Sequence, residues 1–352
     1  MVLNSPYADL PAAAFWRSAM VEQQAEALEA LYKPKFEMSQ ETAFMTAGSC
    51  FAQHLHRNLA SNGWNVIQSE SLADVVSPQV AEKFGYGVFS ARYGNIYTAR
   101  QLRELLCEAI SVSPSAAIVW EKAGRYYDAL RPGVEPEGLA TQADVIRSRE
   151  HHLAKVRETL QKTDVLIFTL GLTEAWIDVE TGRTLPTAPG TIAGSFDPAR
   201  FRFVNFTYSE VLDDLIETQK MLHQNGWEIK FLLTVSPVPL VATASGSHVG
   251  SASTYSKSVL RAVCGVLHQG NPDFDYFPSY EIITTAAVGG PYFGANMRDP
   301  SPMGVETVLT VFAHTHGIED RDVPDVKPVQ SRYAQAEDVQ CEEMMLEAFA
   351  RK

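Results

Sequence analysis

The chain has 352 residues, 45% hydrophobic and 20% charged, enough to bury one large core or two modest ones and too apolar to stay unfolded. A formal net charge of −13, with no local basic patch, excludes attraction to nucleic acid or to an anionic lipid surface. The apolar runs VLIFTLGL and FLLTVSPVPLVATA are too short or too interrupted to span a bilayer, and the start MVLNSPYADLPAAAFW lacks a basic region ahead of a long apolar one. The expectation is a cytoplasmic protein without membrane insertion.

In chain order, residues 1–40 read as an irregular arm with one helix, AFWRSAMVEQQAEALEALY. A pattern of strand, turn and helix follows. TAFMTA is a short apolar strand closed by Gly48, CFAQHLHRNLASNG has apolar residues at helical spacing up to Gly63, and NVIQSE is a candidate second strand. Between 84 and 147 the Gly- and Tyr-rich FGYGVFSARYGNIYT, the amphipathic helix ARQLRELLCEAI and the hairpin AIVWEKAGRYYDALRPGVEPEG read as a cap or insertion. A helix over about 148–162 leads into TDVLIFTLGLTEAW, whose continuous apolar run marks a buried parallel strand. Helix SEVLDDLIETQKMLHQNG, strand WEIKFLLTVSPVPL, helix STYSKSVLRAVCGVLHQ, strand DFDYFPSYEIIT and helix PMGVETVLTVFAHTH complete the alternation. The reading gives an arm at 1–40, an α/β domain at 41–320 with its insertion at about 84–147, and a loop and helix at 321–352.

Alternating strands and helices imply a parallel sheet covered on both faces, and such sheets bind ligands at the carboxyl ends of their strands. The unusual segments GSC, GLTE and SPVPL fall there. Of the four cysteines, Cys50, Cys107, Cys264 and Cys341, only Cys50 stands beside turn chemistry, and the absence of a CxxC pair argues against a zinc site or a disulfide scaffold. Two readings of the turn stand. In one, the positive end of the following helix stabilises a Cys50 thiolate as nucleophile, with Ser49 as the alternative if a base adjoins it. In the other, Gly48 makes the turn, Ser49 caps the helix and Cys50 packs in the core. His54 shares a helix face with Cys50, but neither it nor His56 finds a ligand set nearby, so no metal is expected. No cofactor is implied either.

The pentapeptide Gly48, Ser49, Cys50, Phe51 and Ala52, with GNIYTARQL, LRPGVEP, TLGLTEAW, TVSPVPL, TYSKSVLRA and FPSYEI, resembles the GSCFA family over most of residues 10–315. That family is distantly similar to the SGNH or GDSL hydrolases, which implies a three-layer α/β/α, flavodoxin-like parallel sheet. It implies too that Cys50 stands at the position of the nucleophilic serine, with Ser49 beside it. By the same resemblance Gly94 or Asn95 of GNIY, with Gly171, Thr173 and Glu174 of GLTE, lie where the superfamily holds its oxyanion and its substrate. Asn296 and Asp299 of ANMRDPSPMGVE fall on the superfamily's Asp-x-x-His positions and so depart from its base pair. A substitute base is then required, for which His248 of TASGSHVG is the first candidate, with Lys257 and Glu281 behind it; His314 and His316 read as residues complementing a helix C-terminus.

The expected function is acyl transfer, as an esterase or O-acetyltransferase acting on an acylated carbohydrate or related small molecule. The aromatic stretches YGVFSARYGNIY and RYYDALRP offer either a sugar-stacking wall or core packing. The alternative is a non-catalytic carbohydrate- or acyl-binding protein on the same scaffold. The C-terminal helix, about 331–351, has one apolar face for its own domain or for a second copy of the chain in a homo-oligomer.

Overall fold

The computed structural model describes residues 5–22, 31–72, 76–111, 117–284, 292–317 and 342–349. These fall into two compact units, one of residues 39–276 with the C-terminal 339–352, the other of residues 1–38 with 277–338.

The larger unit runs β1 (Phe44–Gly48), α1 (Ala52–Ser61), α2 (Pro78–Lys83), α3 (Ala99–Ile110), the hairpin β2 (Val119–Lys122) and β3 (Arg125–Asp128), and α4 (Gln142–Leu160). It continues with β4 (Val165–Leu170), β5 (Glu174–Asp178), β6 (Arg183–Leu185), β7 (Phe201–Asn205), α5 (Tyr208–Gln224), β8 (Lys230–Val235), α6 (Val249–Gly270) and β9 (Phe274–Tyr276). Strands β1, β4, β8 and β9 form a parallel sheet in the order β1-β4-β8-β9, flanked by helices in a three-layer α/β/α arrangement. Every residue of β1 and β4 is buried, which is why both read as unbroken apolar runs rather than alternating ones.

Local chemistry sets the element ends. Thr98, Thr141 and Thr207 each accept from the backbone N–H three residues on, while Gln101, Asp144 and Glu210 return the bond, so α3, α4 and α5 all begin at reciprocal caps. Helix α4 therefore starts at 142 rather than near 148. The β2–β3 hairpin closes through Ala123 and Gly124, both at positive φ, as a two-residue turn matching the strand twist requires.

Three expectations change in this unit. NVIQSE pairs with β1 only through a single bridge at Val66, because the chain then leaves the sheet: the Ser90 hydroxyl takes the Thr46 N–H and Tyr93 donates to the Thr46 carbonyl, satisfying the edge without a strand. The run TLGLTEAW is not one strand. Gly171 and Leu172 both donate to the Tyr97 carbonyl, which pulls the chain off the ladder, and β5 joins a separate antiparallel sheet ordered β6-β5-β7. The last predicted strand keeps only Phe274–Tyr276.

In the smaller unit, α7 (Ser279–Thr284) and α8 (Pro302–Thr315) pack together, and Phe277 meets Tyr32 and Phe312 edge-on at 5.2 and 5.1 Å. Part of the N-terminal helix predicted for 14–32 falls outside the described residues; within them lies a five-residue π-helical stretch, Ser18–Glu22. The C-terminal helix predicted for 331–351 is described only over Glu342–Phe349, which form a 3₁₀ segment belonging to the larger unit.

Candidate functional site

Three sequence blocks converge at the carboxyl end of the parallel sheet. Gly48 ends β1 at φ +144°, and a Cβ there would come within 2.5 Å of the Thr169 carbonyl oxygen, so only glycine lets β1 and β4 approach this closely. Ser49 N–H donates to that same oxygen at 3.1 Å, Ile96 N–H donates to the Gly48 carbonyl at 2.8 Å, and Gly171 N–H donates to the Tyr97 carbonyl at 3.0 Å. The GSC, GNIY and GLTE segments are thus tied by backbone bonds into one junction.

Ser49 does not cap α1. Its Oγ is buried and has no hydrogen-bond partner among the described residues, and the helix opens instead with Ala52, Gln53 and His54 donating to the carbonyls three residues back. The Ser49 Cβ lies against Gly171, where an added methyl would come within 2.9 Å of it. A buried hydroxyl without a partner costs about 1–3 kcal/mol, so its retention calls for an explanation. Cys50 is also buried.

Around this turn the polar side chains are held in place. Gln53 Nε2 donates to Asn95 Oδ1 at 3.1 Å, which fixes the Asn95 amide. Gly94 takes φ +68° beside it. Lys257, buried on α6, donates to the Gly171 carbonyl at 2.7 Å, and the neighbouring Ser256 hydroxyl accepts from Thr173 N–H at 2.9 Å. The Thr173 hydroxyl donates to Asn205 Oδ1 at 2.7 Å, so its one proton is engaged in the ground state. Glu174 accepts from the Thr243 hydroxyl at 2.7 Å, and burial pushes its carboxyl up.

The other predicted residues make contacts of their own. His248 is exposed and serves as N-cap of α6, its Nδ1 accepting from Gly250 N–H at 3.1 Å. Glu281, in the first turn of α7, and the Asn296 and Asp299 pair belong to the smaller unit. Asn296 Nδ2 donates to Asp299 Oδ2 at 2.7 Å, Asp299 also pairs with Arg298, and Met297 between them sits at φ +55°, so the stretch forms a turn. His314 lies in the last turn of α8 and His316 caps its C-terminus. His54 and His56 are held neutral near pKa 4 by burial and the Arg57 charge, and His56 Nδ1 bonds the Thr46 hydroxyl at 2.6 Å. Among the described residues no group of acids, histidines or cysteines could hold a metal ion.

Beside the junction lies a groove, open to solvent and lined by Leu172, Glu174, Trp176, Phe203, Thr243 and Leu346 among others. Its aromatic wall is Trp176 and Phe203. The tyrosine-rich stretches singled out in the sequence mostly pack inward instead, with Phe89, Tyr93, Tyr97 and Tyr127 buried. Sequence reasoning missed Gln53, Tyr97 and Glu342, which all bond at this junction. Tyr97 lay in plain view in GNIYT, whereas nothing local marks a lone glutamate 245 positions further on.

The sequence model of the GSCFA family matches residues 43–312. The chain belongs to the GSCFA family. No curated protein and no solved structure matches it. The matched span of this GSCFA protein runs from the residue before β1 into α8, and so contains every block of the junction. None of its described helices is long and apolar enough to cross a membrane.

Proposed function

We propose that this GSCFA protein is an acyl-transfer enzyme, an esterase or O-acetyltransferase distantly akin to the SGNH hydrolases, whose acyl acceptor sits in the Ser49–Cys50 turn. The observation that carries the reading is the buried Ser49 hydroxyl, without a partner among the described residues and held against Gly171 at the meeting point of the three blocks. It shifts the preferred nucleophile from Cys50 to Ser49. A serine needs a base to remove its proton, and Ser–Lys pairs do so on unrelated folds. Lys257 supplies a buried amine bonded to Gly171, the residue Ser49 touches. In the proposed reaction the Ser49 oxygen attacks the ester carbonyl, its proton passes to Lys257 Nζ, and Lys257 returns it to the departing alcohol. Asn95 of GNIY, its amide oriented by Gln53, lies beside this turn.

The groove bounded by Trp176 and Phe203 suits a small apolar or sugar-bearing ligand. Dispersed cysteines with no CxxC pair support a reducing, cytoplasmic setting. The competing reading, a binding protein without turnover, is favoured by one observation: Asn296 and Asp299, which stand at the superfamily's base positions, bond each other and Arg298 in a closed turn. Hydrolysis of 4-nitrophenyl acetate separates the two. The enzyme reading expects turnover that Ser49→Ala abolishes and Lys257→Met lowers by about a hundredfold or more, with loss of the acidic limb of the pH profile that a general base produces. Absence of turnover in the wild type, or full turnover in Ser49→Ala and Cys50→Ala alike, sinks it.

A further inference from the structure

The junction already holds a carboxylate. Glu342, from the C-terminal 3₁₀ segment, places Oε2 2.8 Å from the Tyr97 hydroxyl and 2.5 Å from Asn95 Nδ2, and both groups donate to it. The two donors come from residues that are themselves buried, at 3% and 2% exposure for Asn95 and Tyr97, so they are set in place by the fold and not gathered by a surface side chain. Gln53 holds the Asn95 amide with its nitrogen towards the carboxylate. The other oxygen, Oε1, rests over two glycines: a Cβ on Gly133 would come within 2.7 Å of it and one on Gly94 within 3.6 Å. Gly133 has no positive φ, so the backbone does not require glycine there; what its missing side chain provides is room for the carboxylate. Next in the segment, Glu343 and Leu346 line the groove beside Leu172, Glu174 and Trp176.

We infer that Asn95, Tyr97, Gly94 and Gly133 form a carboxylate-binding subsite, that Glu342 fills it in cis, and that a ligand bearing its own carboxylate binds by displacing the C-terminal segment. The inference rests on the reading of the junction as a ligand site and adds its substrate class: an ester whose acyl or sugar part carries a free carboxylate, such as a dicarboxylic half-ester or an acidic sugar. Neutral donors receive the charge, and among the described residues no cation pairs with Glu342. Such a contact is selective for a planar acceptor yet weak enough to exchange. Tethering makes the segment a competitor at high effective concentration, so it lowers the affinity of free carboxylates without closing the site to them.

Succinate is the probe, titrated calorimetrically into the full-length protein and into Glu342→Ala. The subsite predicts that Glu342→Ala binds succinate at least about tenfold more tightly than wild type, and that adding Asn95→Leu to Glu342→Ala removes binding. Equal affinity in wild type and Glu342→Ala, or binding that survives Asn95→Leu, overturns it. Hydrogen exchange of the wild type gives a readout that needs no variant: saturating succinate should speed exchange in residues 342–349 and leave α4 unchanged, and unchanged exchange in 342–349 counts against the inference. Succinate binding does not depend on turnover. Failure of this subsite with intact ester hydrolysis, and failure of hydrolysis with intact succinate binding, are therefore separate results.

Discussion

Two buried polar regions of the larger unit make opposite use of their groups. Under the β2–β3 hairpin, Arg131 binds Asp128 at 2.9 Å, Arg149 binds Glu108 at 2.5 Å with Asp128 at 3.6 Å, Arg183 reaches Glu108 at 2.6 Å, and neutral His152 bonds Glu70 at 2.7 Å. Burial alone would raise the Asp128 carboxyl, but Arg149 and Arg131 outweigh it and hold it ionised. Each charge there faces an opposite one, which fixes the packing and leaves no charge to act on a ligand. At the three-block junction charge is not matched by charge: a serine hydroxyl has no partner among the described residues, two glycines keep space open, and a glutamate rests on neutral donors. Charge matched by charge marks architecture; a carboxylate resting on neutral donors beside glycines fits a place where a ligand binds.

The contrast breaks most visibly at Arg149. Arg149→Met leaves Glu108 and Asp128 short of a counter-charge, and urea denaturation should show a loss of about 3–5 kcal/mol. A loss below about 1 kcal/mol would mean that this network is not the structural element described here. Gly48→Ala comes next, since its methyl meets the Thr169 carbonyl at 2.5 Å in a backbone conformation hostile to side chains; a loss of about 3 kcal/mol is expected in the same assay.

Acid sharpens the comparison. His152 from the network and His54 and His56 from α1 are each held near pKa 4, mainly by burial, with Arg131 adding to the effect on His152 and Arg57 on the other two. All three are neutral in the folded state at pH 5–6.5, whereas their unfolded counterparts, near pKa 6.5, take up protons there. Their contribution is therefore complete above about pH 6.5 and falls away as pH drops towards 4. Urea midpoints at pH 7, 6 and 5 should decline in that order, and His152→Gln and His56→Gln should each flatten the decline; a pH-independent midpoint contradicts the assignment. The smallest effect on stability is expected from Ser49→Ala, within about 1 kcal/mol of wild type, because it removes a buried hydroxyl that has no hydrogen bond to lose.

Much of this was legible in the chain because the signals are local. GSC and GLTE could be picked out at the ends of apolar runs, GNIY entered only through the family resemblance, and the parallel sheet follows from unbroken runs such as VLIFTL. What could not be read depends on distance. The divergence of β5 is set by the Tyr97 carbonyl, more than 70 positions earlier, and the capping role of His248 is visible only once α6 is seen to start at Val249. Glu342 is one acid among 42 Asp and Glu residues, and only the fold brings it to Asn95. The choice between Ser49 and Cys50 turns on which side chain lacks a partner beside Gly171, a property that spacing does not encode.

The most direct test of the central claim is to expose the full-length protein to 4-nitrophenyl acetate, quench in acid and map the acetyl group by peptide mass spectrometry. The account predicts one adduct, on Ser49, absent from Ser49→Ala and retained in Cys50→Ala. An adduct on Cys50 alone would contradict the assignment of the nucleophile, and no adduct within residues 48–52 would contradict the junction as an acyl-transfer site.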